Sequence, residues 1–293
     1  MSIFRGSGVA IVTPFKDDKS VDYKAFEKLL NFQLDNGTDA IVVCGTTGES
    51  STLTEKEHAK LVKLAAKVVA GQVPIIAGCG SNNTEHAIQL TKSATGSGAD
   101  AIMQVTPYYN KATQGGLVRH FIEIAKNTDL PIMLYNVPSR TSCNIEPKTV
   151  AKLAKIDNIV CIKEASGDIS QIAEIRKLCG KDFDIYSGND DQVVPLMSLG
   201  AVGVVSVVAN IAPRLMSYMC AEYLAGNVGK SLEIQLEILD LCKACFVELS
   251  PGPVKEALEM MGFGKANYRS PMGSITEENQ RVVKETLRKF GMI

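Results

Sequence analysis

Short apolar runs alternate with amphipathic helical patterns along most of this chain, and the alternation limits its fold more than any other feature. Eight such runs occur in the first 207 residues, and they cover residues 8–13, 39–44, 74–78, 100–105, 131–135, 159–163, 183–186 and 201–207. Apolar runs bounded by turn signals are typical of parallel strands that are buried on both faces. Eight strand and helix units in order predict an α/β fold, the (β/α)8 TIM barrel, over residues 1–226.

A doubly wound open sheet is the alternative fold for the same alternation. Its dinucleotide-binding form carries a G-x-G-x-x-G sequence directly after the first strand. No such sequence follows the first apolar run here, and the only nearby glycine pair, in Gly6-Ser7-Gly8, leads into that run. The closed barrel is therefore the favoured interpretation.

Capping residues support the helices between the apolar runs. Asp22 precedes a segment with its leucines on one face, and Asp is a strong N-cap. Thr54 and Glu57 have the spacing of a capping box. Pro147 suits the first position of a later helix, where its missing N–H has no partner to lose. These signals agree with the strand pattern.

The last part of the chain has a different character. Beyond residue 226 the strand pattern stops, and residues 230–249, 253–262 and 276–290 each predict a helix. We therefore expect a C-terminal extension of three helices, residues 227–293, beyond the barrel proper.

Charge and cysteine usage exclude several functional classes. The net charge is −1, so no electrostatic footprint for nucleic acid or an anionic membrane is present. We find neither a membrane-spanning stretch nor a signal-peptide pattern. The eight cysteines are scattered, and several lie in apolar runs, which is typical of reduced thiols in a cytoplasmic protein. Cys242 and Cys245 form a lone C-x-x-C, which we interpret as structural.

The sixth apolar run ends in a charge. Lys163 closes residues 159–163, and a lysine is almost never fully buried unless it is paired. One interpretation is an ion pair at the strand end, with the adjacent Glu164 as a candidate partner. The other is an amine kept partly neutral by desolvation, which could attack a carbonyl. The strand alone does not decide between them.

In a TIM barrel, chemistry takes place where the strands end. Hydroxyls follow the second strand in the threonine loop, residues 45–48, and the seventh strand ends in Ser187, Gly188 and Asn189. The fourth, fifth and sixth strands contribute Tyr108, Tyr109, Tyr135, Arg140 and Lys163. An imine-forming enzyme needs an amine, a proton relay and a clamp for a carboxylate. The strand ends supply all three kinds of group.

A metal-dependent reaction would need clustered ligands. The three histidines, His58, His86 and His120, fall on three different predicted helices, away from the strand ends. We therefore predict no metal site.

Three motifs at these strand ends resemble one known family. They are Gly-Thr-Thr-Gly-Glu-Ser at residues 45–50, Tyr-Asn-Val-Pro-Ser-Arg-Thr at 135–141 and Ile-Lys-Glu-Ala-Ser-Gly at 162–167. The chain resembles the 4-hydroxy-tetrahydrodipicolinate synthase (dihydrodipicolinate synthase) family, one of the pyruvate-dependent class I aldolases. The resemblance runs from residue 8 to residue 272, almost the whole chain.

The resemblance implies a reaction and a role for each site residue. Pyruvate would condense with L-aspartate 4-semialdehyde to give 4-hydroxy-tetrahydrodipicolinate, a step of diaminopimelate and lysine biosynthesis. It would need no cofactor, because a lysine Schiff base acts as the electron sink. By the resemblance, Lys163 would form the Schiff base, and Tyr135, Thr46 and Tyr109 would form a proton relay. Thr47 would bind the carboxylate of pyruvate, and Arg140 would clamp the carboxylate of the aldehyde. Gly188 and Val205 would line the pyruvate side of the site. Because Tyr109 would come from a neighbouring subunit, the family implies a homodimer or homotetramer.

Other functions remain open at this stage. N-acetylneuraminate lyases and 2-keto-3-deoxygluconate aldolases share the lysine and tyrosine, but they generally lack an arginine at the position of Arg140. A non-catalytic binding barrel is a remoter alternative, since fold does not determine function. A phosphate-binding isomerase barrel would need glycine-rich loops after strands seven and eight, which are poorly developed here.

The family also has members that are inhibited by lysine at a dimer interface. Residues that match that regulatory pattern are Ser50, Ser51, His58, Gly80, Asn82 and Tyr108. Two positions depart from it, because Glu55 replaces a histidine and His86 replaces a glutamate. That glutamate would pair with the amino group of the inhibitor, so we expect weak or absent inhibition by lysine.

Overall fold

Eight parallel strands close into one barrel in the computed structural model, which describes residues 2–293. The strands follow chain order around the barrel, and β1 pairs with β8 to close it. They are β1 (Gly6–Ala10), β2 (Ala40–Val43), β3 (Ile75–Gly78), β4 (Ala101–Val105), β5 (Ile132–Asn136), β6 (Ile159–Glu164), β7 (Asp184–Ser187) and β8 (Gly203–Ser206). The prediction of a TIM barrel is confirmed, and closure excludes the open sheet.

Helices fill the connections and surround the barrel. Those of the barrel are α1 (Tyr23–Asp35), α2 (Glu55–Val69), α3 (Thr84–Gly96), α4 (Gln114–Ala125), α5 (Pro138–Thr141), α6 (Pro147–Leu153), α7 (Ile169–Cys179), α8 (Val193–Ser198) and α9 (Pro213–Leu224). The extension contains α10 (Val228–Glu237), α11 (Leu239–Cys245), α12 (Gly252–Met260) and α13 (Glu277–Lys289). Among residues 2–293, no helix is both long and apolar enough to cross a bilayer.

The capping signals act as predicted. The Asp22 side chain accepts hydrogen bonds from the N–H groups of Lys24 and Ala25 at the start of α1. Thr54 and Glu57 form the complete capping box of α2. Pro147 occupies the first turn of α6. A helix start leaves backbone N–H groups without partners. The capping side chains accept hydrogen bonds from these groups, and the proline has no N–H to satisfy.

The first strand begins earlier than its apolar run. Gly6, which stands ahead of the predicted run at residues 8–13, lies within β1. The reason is the seam between β1 and β8, where a Cβ on Gly203 would lie 1.9 Å from the carbonyl oxygen of Gly6. Because the two backbones approach so closely, glycines continue the strand there, although they carry no apolar signal.

The structure divides the first predicted helix of the extension into two. The division falls at Ile238, which is fully buried between α10 and α11. The N–H of Ile238 still bonds Ile234 O, and the N–H of Cys242 bonds Ile238 O. The helical hydrogen bonds therefore continue through Ile238, although the structure divides the segment into two helices there.

Two apolar clusters form the core. The larger lies between the strands and the helices, and the smaller fills the inside of the barrel. At the amino-terminal end of the barrel, Phe4 stacks on Tyr186 with ring centroids 4.4 Å apart. The Tyr186 hydroxyl donates to Phe4 O at 2.6 Å. This pair closes the bottom of the barrel and leaves the site at the carboxyl ends of the strands.

All eight cysteines are free thiols, and seven of them are buried. Burial raises the pKa of each of the thiols of Cys44, Cys79 and Cys161. Cys242 and Cys245 are likewise buried, on α11, as expected for structural residues. A protonated buried thiol packs as a small apolar side chain.

Candidate active site

Lys163 lies near the end of β6 and points into the barrel. The residue is only 4% exposed to solvent. Its amine lies 4.4 Å from the centroid of the Tyr135 ring on β5, and the two residues are register partners across the strands. A lysine ammonium group over an aromatic face is electrostatically favoured. The strand ending therefore places the amine beside a phenol.

Glu164 is not the partner of this lysine. Consecutive side chains of a strand point to opposite faces, so Glu164 points out of the barrel toward the helices. Its carboxylate accepts hydrogen bonds from Asn136 Nδ2 at 3.1 Å and from the Ser166 N–H at 2.8 Å. Burial raises the pKa of this carboxyl group, and these donors oppose the effect. The ion-pair interpretation does not hold for Glu164.

A cavity of about 370 Å³ opens above the amine at the carboxyl ends of the strands. Six of the eight predicted site residues line it, and they are Thr46, Thr47, Tyr135, Arg140, Lys163 and Gly188. They come from the ends of β2, β5, β6 and β7, so only closure of the barrel brings them together. A pocket of this size suits a small polar substrate.

Gly188 is required by the space around the lysine. A Cβ at this position would lie 2.6 Å from the Cβ of Ala165 and 3.1 Å from Cε of Lys163. The first distance is well below any normal contact between carbon atoms, so a side chain here would displace the lysine or its strand. The glycine therefore leaves room for a ligand beside the Lys163 amine.

The threonine loop, residues 45–48, forms the wall opposite Gly188. It is flanked by two residues in left-handed conformation, Cys44 at φ 57° and Glu49 at φ 53°. Such backbone is rare for residues that carry a Cβ, and it often marks a functional turn. Thr46 and Thr47 of this loop line the cavity, and each carries a hydroxyl and an N–H group. Groups of this kind can hold a carboxylate.

Arg140 stands at the mouth of the cavity, on the short helix α5. Its guanidinium donates to Ser250 O at 3.3 Å, in the connection between α11 and α12. Phe246 and Leu249, from the same connection, also line the mouth. We did not predict any of these three extension residues from the sequence. They lie more than 100 residues from Arg140 and carry no motif that would have revealed them.

Two of the eight predicted site residues do not line the cavity. Val205 is fully buried in the apolar cluster inside the barrel, below the cavity, and Val207 lines the wall in its place. Tyr109 is 93% exposed and adopts φ 72°. An aromatic side chain in a disfavoured backbone conformation and in full contact with solvent is unusual for a packing residue.

Asp190 is a further polar group that the sequence did not reveal. Its Oδ2 accepts from the N–H groups of Val207 and Val208 at 3.0 and 3.1 Å, which ties the end of β7 to the end of β8. Burial raises the pKa of this carboxyl group, although the hydrogen bonds oppose it. Asp190 thereby positions the segment that contains Gly188.

A second cavity of about 150 Å³ lies behind β3, between α2 and α3. Its wall includes most of the residues that match the regulatory pattern, namely Ser50, Ser51, His58, Gly80 and Tyr108. Glu55 and His86, the two that depart from it, face each other there with 3.5 Å between Oε1 and Nε2.

The histidines lie on three different helices, as expected. They are found on α2, α3 and α4. Burial lowers the pKa of His58, and it lowers the pKa of His120 to about 4. Within residues 2–293 no group of three or more histidine, cysteine or acidic side chains is arranged to hold a metal ion.

Comparison with known proteins gives a consistent result. The model of the Dihydrodipicolinate synthetase family matches residues 3–290. The 4-hydroxy-tetrahydrodipicolinate synthase of Lachnoclostridium phytofermentans is 53% identical over 294 residues, with 100% of each chain covered. The crystal structure of dihydrodipicolinate synthase from Thermotoga maritima matches with a TM-score of 0.98 at 44% identity, over 100% of both chains. The structure of the enzyme from Cyanidioschyzon merolae with lysine bound matches with a TM-score of 0.97 at 41% identity, again over 100% of both chains.

Proposed function

This chain belongs to the dihydrodipicolinate synthetase family, and from that premise we propose that Lys163 is its Schiff-base residue. The protein is a lyase that condenses pyruvate with L-aspartate 4-semialdehyde to give 4-hydroxy-tetrahydrodipicolinate, in diaminopimelate and lysine biosynthesis. The observation that carries the assignment of Lys163 is its buried amine, 4.4 Å from the Tyr135 ring and in the wall of the cavity.

Each step of the reaction can be assigned to a group in the cavity. The Lys163 amine attacks C2 of pyruvate, and the carbinolamine loses water to give an imine. Loss of a proton from C3 gives an enamine, which attacks the aldehyde carbon of the second substrate. The amine of the adduct then displaces Lys163, and the ring closes. Lys163 itself is the electron sink, so we propose that the reaction needs no external cofactor.

Protons move in several of these steps, and Tyr135 and Thr46 are our candidates to carry them. The Tyr135 ring already lies beside the amine. A phenol can protonate the leaving hydroxyl of the carbinolamine and later accept a proton, which contributes about 10²–10⁴-fold in general acid and base catalysis. Thr47 and its N–H hold the pyruvate carboxylate on the threonine loop.

Tyr109 is our candidate for the third member of the relay, supplied by a second subunit. Its exposed ring and its disfavoured φ support a position in which another chain receives it. We therefore propose a homodimer as the smallest complete unit and a homotetramer as the full assembly. The free thiols support a cytoplasmic location.

Arg140 determines the choice between related substrates. Its guanidinium stands at the cavity mouth, where it can form a paired hydrogen bond with the carboxylate of L-aspartate 4-semialdehyde. Polyhydroxylated aldehydes, such as those used by sialic-acid lyases, present no carboxylate there. The C-terminal extension, residues 227–293, takes part in this choice because Ser250 O holds the guanidinium.

Borohydride reduction in the presence of pyruvate tests the assignment directly. We expect a stable adduct of one pyruvate per chain, located on Lys163 by peptide mass spectrometry. Borohydride without pyruvate is the control. Turnover of N-acetylneuraminate but not of aspartate semialdehyde would contradict the substrate assignment, and an unmodified Lys163 would contradict the mechanism.

We also propose that lysine inhibits this enzyme weakly or not at all. In the second cavity, His86 stands where regulated members have a glutamate, and the Glu55 carboxylate is already engaged with His86. The amino group of a bound lysine would therefore lack a charge-assisted hydrogen bond that contributes about 1.5–3 kcal/mol. We expect little inhibition of initial rates at millimolar lysine. The exchanged variant, Glu55→His with His86→Glu, should gain inhibition, whereas half-inhibition of the wild type below one millimolar would contradict the proposal.

A further inference from the structure

A buried ion pair joins the C-terminal extension to the end of the threonine loop. Lys255, on α12, and Glu49, directly after the loop, have side chains that are each 2% exposed. Lys255 Nζ lies 2.6 Å from Glu49 Oε1. Neither residue lines the cavity. The pair can therefore influence the reaction only through other residues.

The ammonium group is held by three separate segments. Besides Glu49, it donates to Thr13 O at 3.1 Å, after β1, and to Asn267 O at 2.5 Å, in the extension. It also lies 4.3 Å from the centroid of the Phe15 ring. An ammonium has three N–H donors, so all of them are used, and the geometry permits little freedom. Lys255 therefore holds the β1 end, the threonine loop and the extension together.

The threonine loop depends on these contacts for its shape. The left-handed backbone of Glu49 persists only where the surroundings hold it. The N–H of Glu49 bonds Thr46 O at 3.1 Å, and the Thr13 hydroxyl donates to Gly48 O at 2.7 Å. The same anchor, Lys255 with Thr13, thus constrains both the side chain of Glu49 and the main chain of Gly48.

We propose that Lys255 and Glu49 are positioning residues for pyruvate, because their ion pair keeps the threonine loop in the conformation that binds the pyruvate carboxylate. The proposal rests on the function proposed above. Removal of the ammonium leaves a buried carboxylate without its partner, and such a group is strongly disfavoured unless the chain moves to hydrate it. Movement of Glu49 displaces Thr46 and Thr47. Loss of binding that is equal in the ground state and the transition state raises KM more than it lowers kcat.

Kinetics of Lys255→Met and of the double variant Glu49→Gln with Lys255→Met test this proposal. The double variant removes both charges and so avoids a lone buried charge. We expect the KM for pyruvate to rise at least about ten-fold in both, and by a larger factor than kcat falls, since Thr46 of the proposed relay moves together with Thr47. The KM for aspartate semialdehyde should change by less than about three-fold. A merely structural role would lower the amount of active enzyme and leave both KM values unchanged.

Arg269→Met is the matched control. Arg269 forms an ion pair with Glu57 at 2.6 Å, which also joins the extension to the region after β2 but ends on α2. We expect this variant to lower the Tm without changing the KM for pyruvate. An equal rise in the KM for pyruvate in this control would overturn the specific role of Lys255 and Glu49.

A further variant covers the case in which Lys255→Met does not fold. Thr13→Val removes only the hydroxyl that donates to Gly48 O, and it should raise the KM for pyruvate about three-fold. A wild-type KM for pyruvate in the double variant would overturn the positioning role of Lys255 and Glu49 but not the assignment of Lys163. If Lys255→Met is unfolded, a wild-type KM for pyruvate in Thr13→Val would have the same meaning. If the wild type forms no borohydride-trapped adduct, the assignment of Lys163 fails, and this proposal fails with it.

Discussion

Replacement of Lys163 by alanine should abolish pyruvate adduct formation and lower kcat by about 10³-fold or more, because no other group in the cavity can form the imine. The side chain lies inside the barrel beside a cavity, so its truncation should leave the barrel folded. Circular dichroism would check the fold, and borohydride trapping with a coupled assay would measure the adduct and the rate.

Lys163→Arg separates the two roles that a buried cation could have. Arginine keeps the positive charge but is not a nucleophile at neutral pH. We expect it to be as inactive as the alanine variant. Substantial activity in Lys163→Arg would show that the charge, and not the imine, is what the site needs.

Replacement of Tyr135 by phenylalanine should lower kcat by about 10²–10³-fold, because it removes the hydroxyl that we propose as a proton carrier. The ring, and with it the contact to Lys163, remains in place. Pyruvate should still be trapped by borohydride, though more slowly. Single-turnover kinetics would show whether the loss falls on imine formation, as we expect.

Tyr186→Phe is a matched control for this variant. Tyr186 flanks Lys163 on the other side, as its register partner on β7. Its hydroxyl, however, donates to Phe4 O at the bottom of the barrel. We expect a loss of about 1 kcal/mol in the free energy of unfolding and an almost unchanged kcat. Equal losses of kcat in both variants would contradict the relay role of Tyr135.

Much of the fold could be predicted from the sequence, since its signals are local. The apolar runs, the cap at Asp22 and the capping box at Thr54 involve residues within a few positions of one another. The start of β1 could not be predicted, because Gly6 is part of the strand only through its approach to Gly203. That contact joins the two ends of the barrel sheet.

The composition of the candidate site was predictable in part, since six of the eight predicted residues line one cavity. Lys163, Tyr135 and Arg140 were predicted as site residues because they stand in the motifs that carry the family resemblance, and all three line the cavity. Ser250 and Asp190 escaped prediction. A serine carbonyl and a buried aspartate have no pattern in the sequence that distinguishes them from other residues of their kind.

The sequence by itself determined the class of fold through its periodicity, and it indicated the kind of chemistry through the motifs that carry the family resemblance, since both are readable without coordinates. Only the tertiary structure decided that Glu164 points toward the helices. The Lys163 amine therefore faces the cavity together with Tyr135. The tertiary structure also brought Lys255 of the extension to Glu49, across more than 200 residues. Contacts of this kind depend on barrel closure and on the packing of α12 against it, and no local signal encodes either.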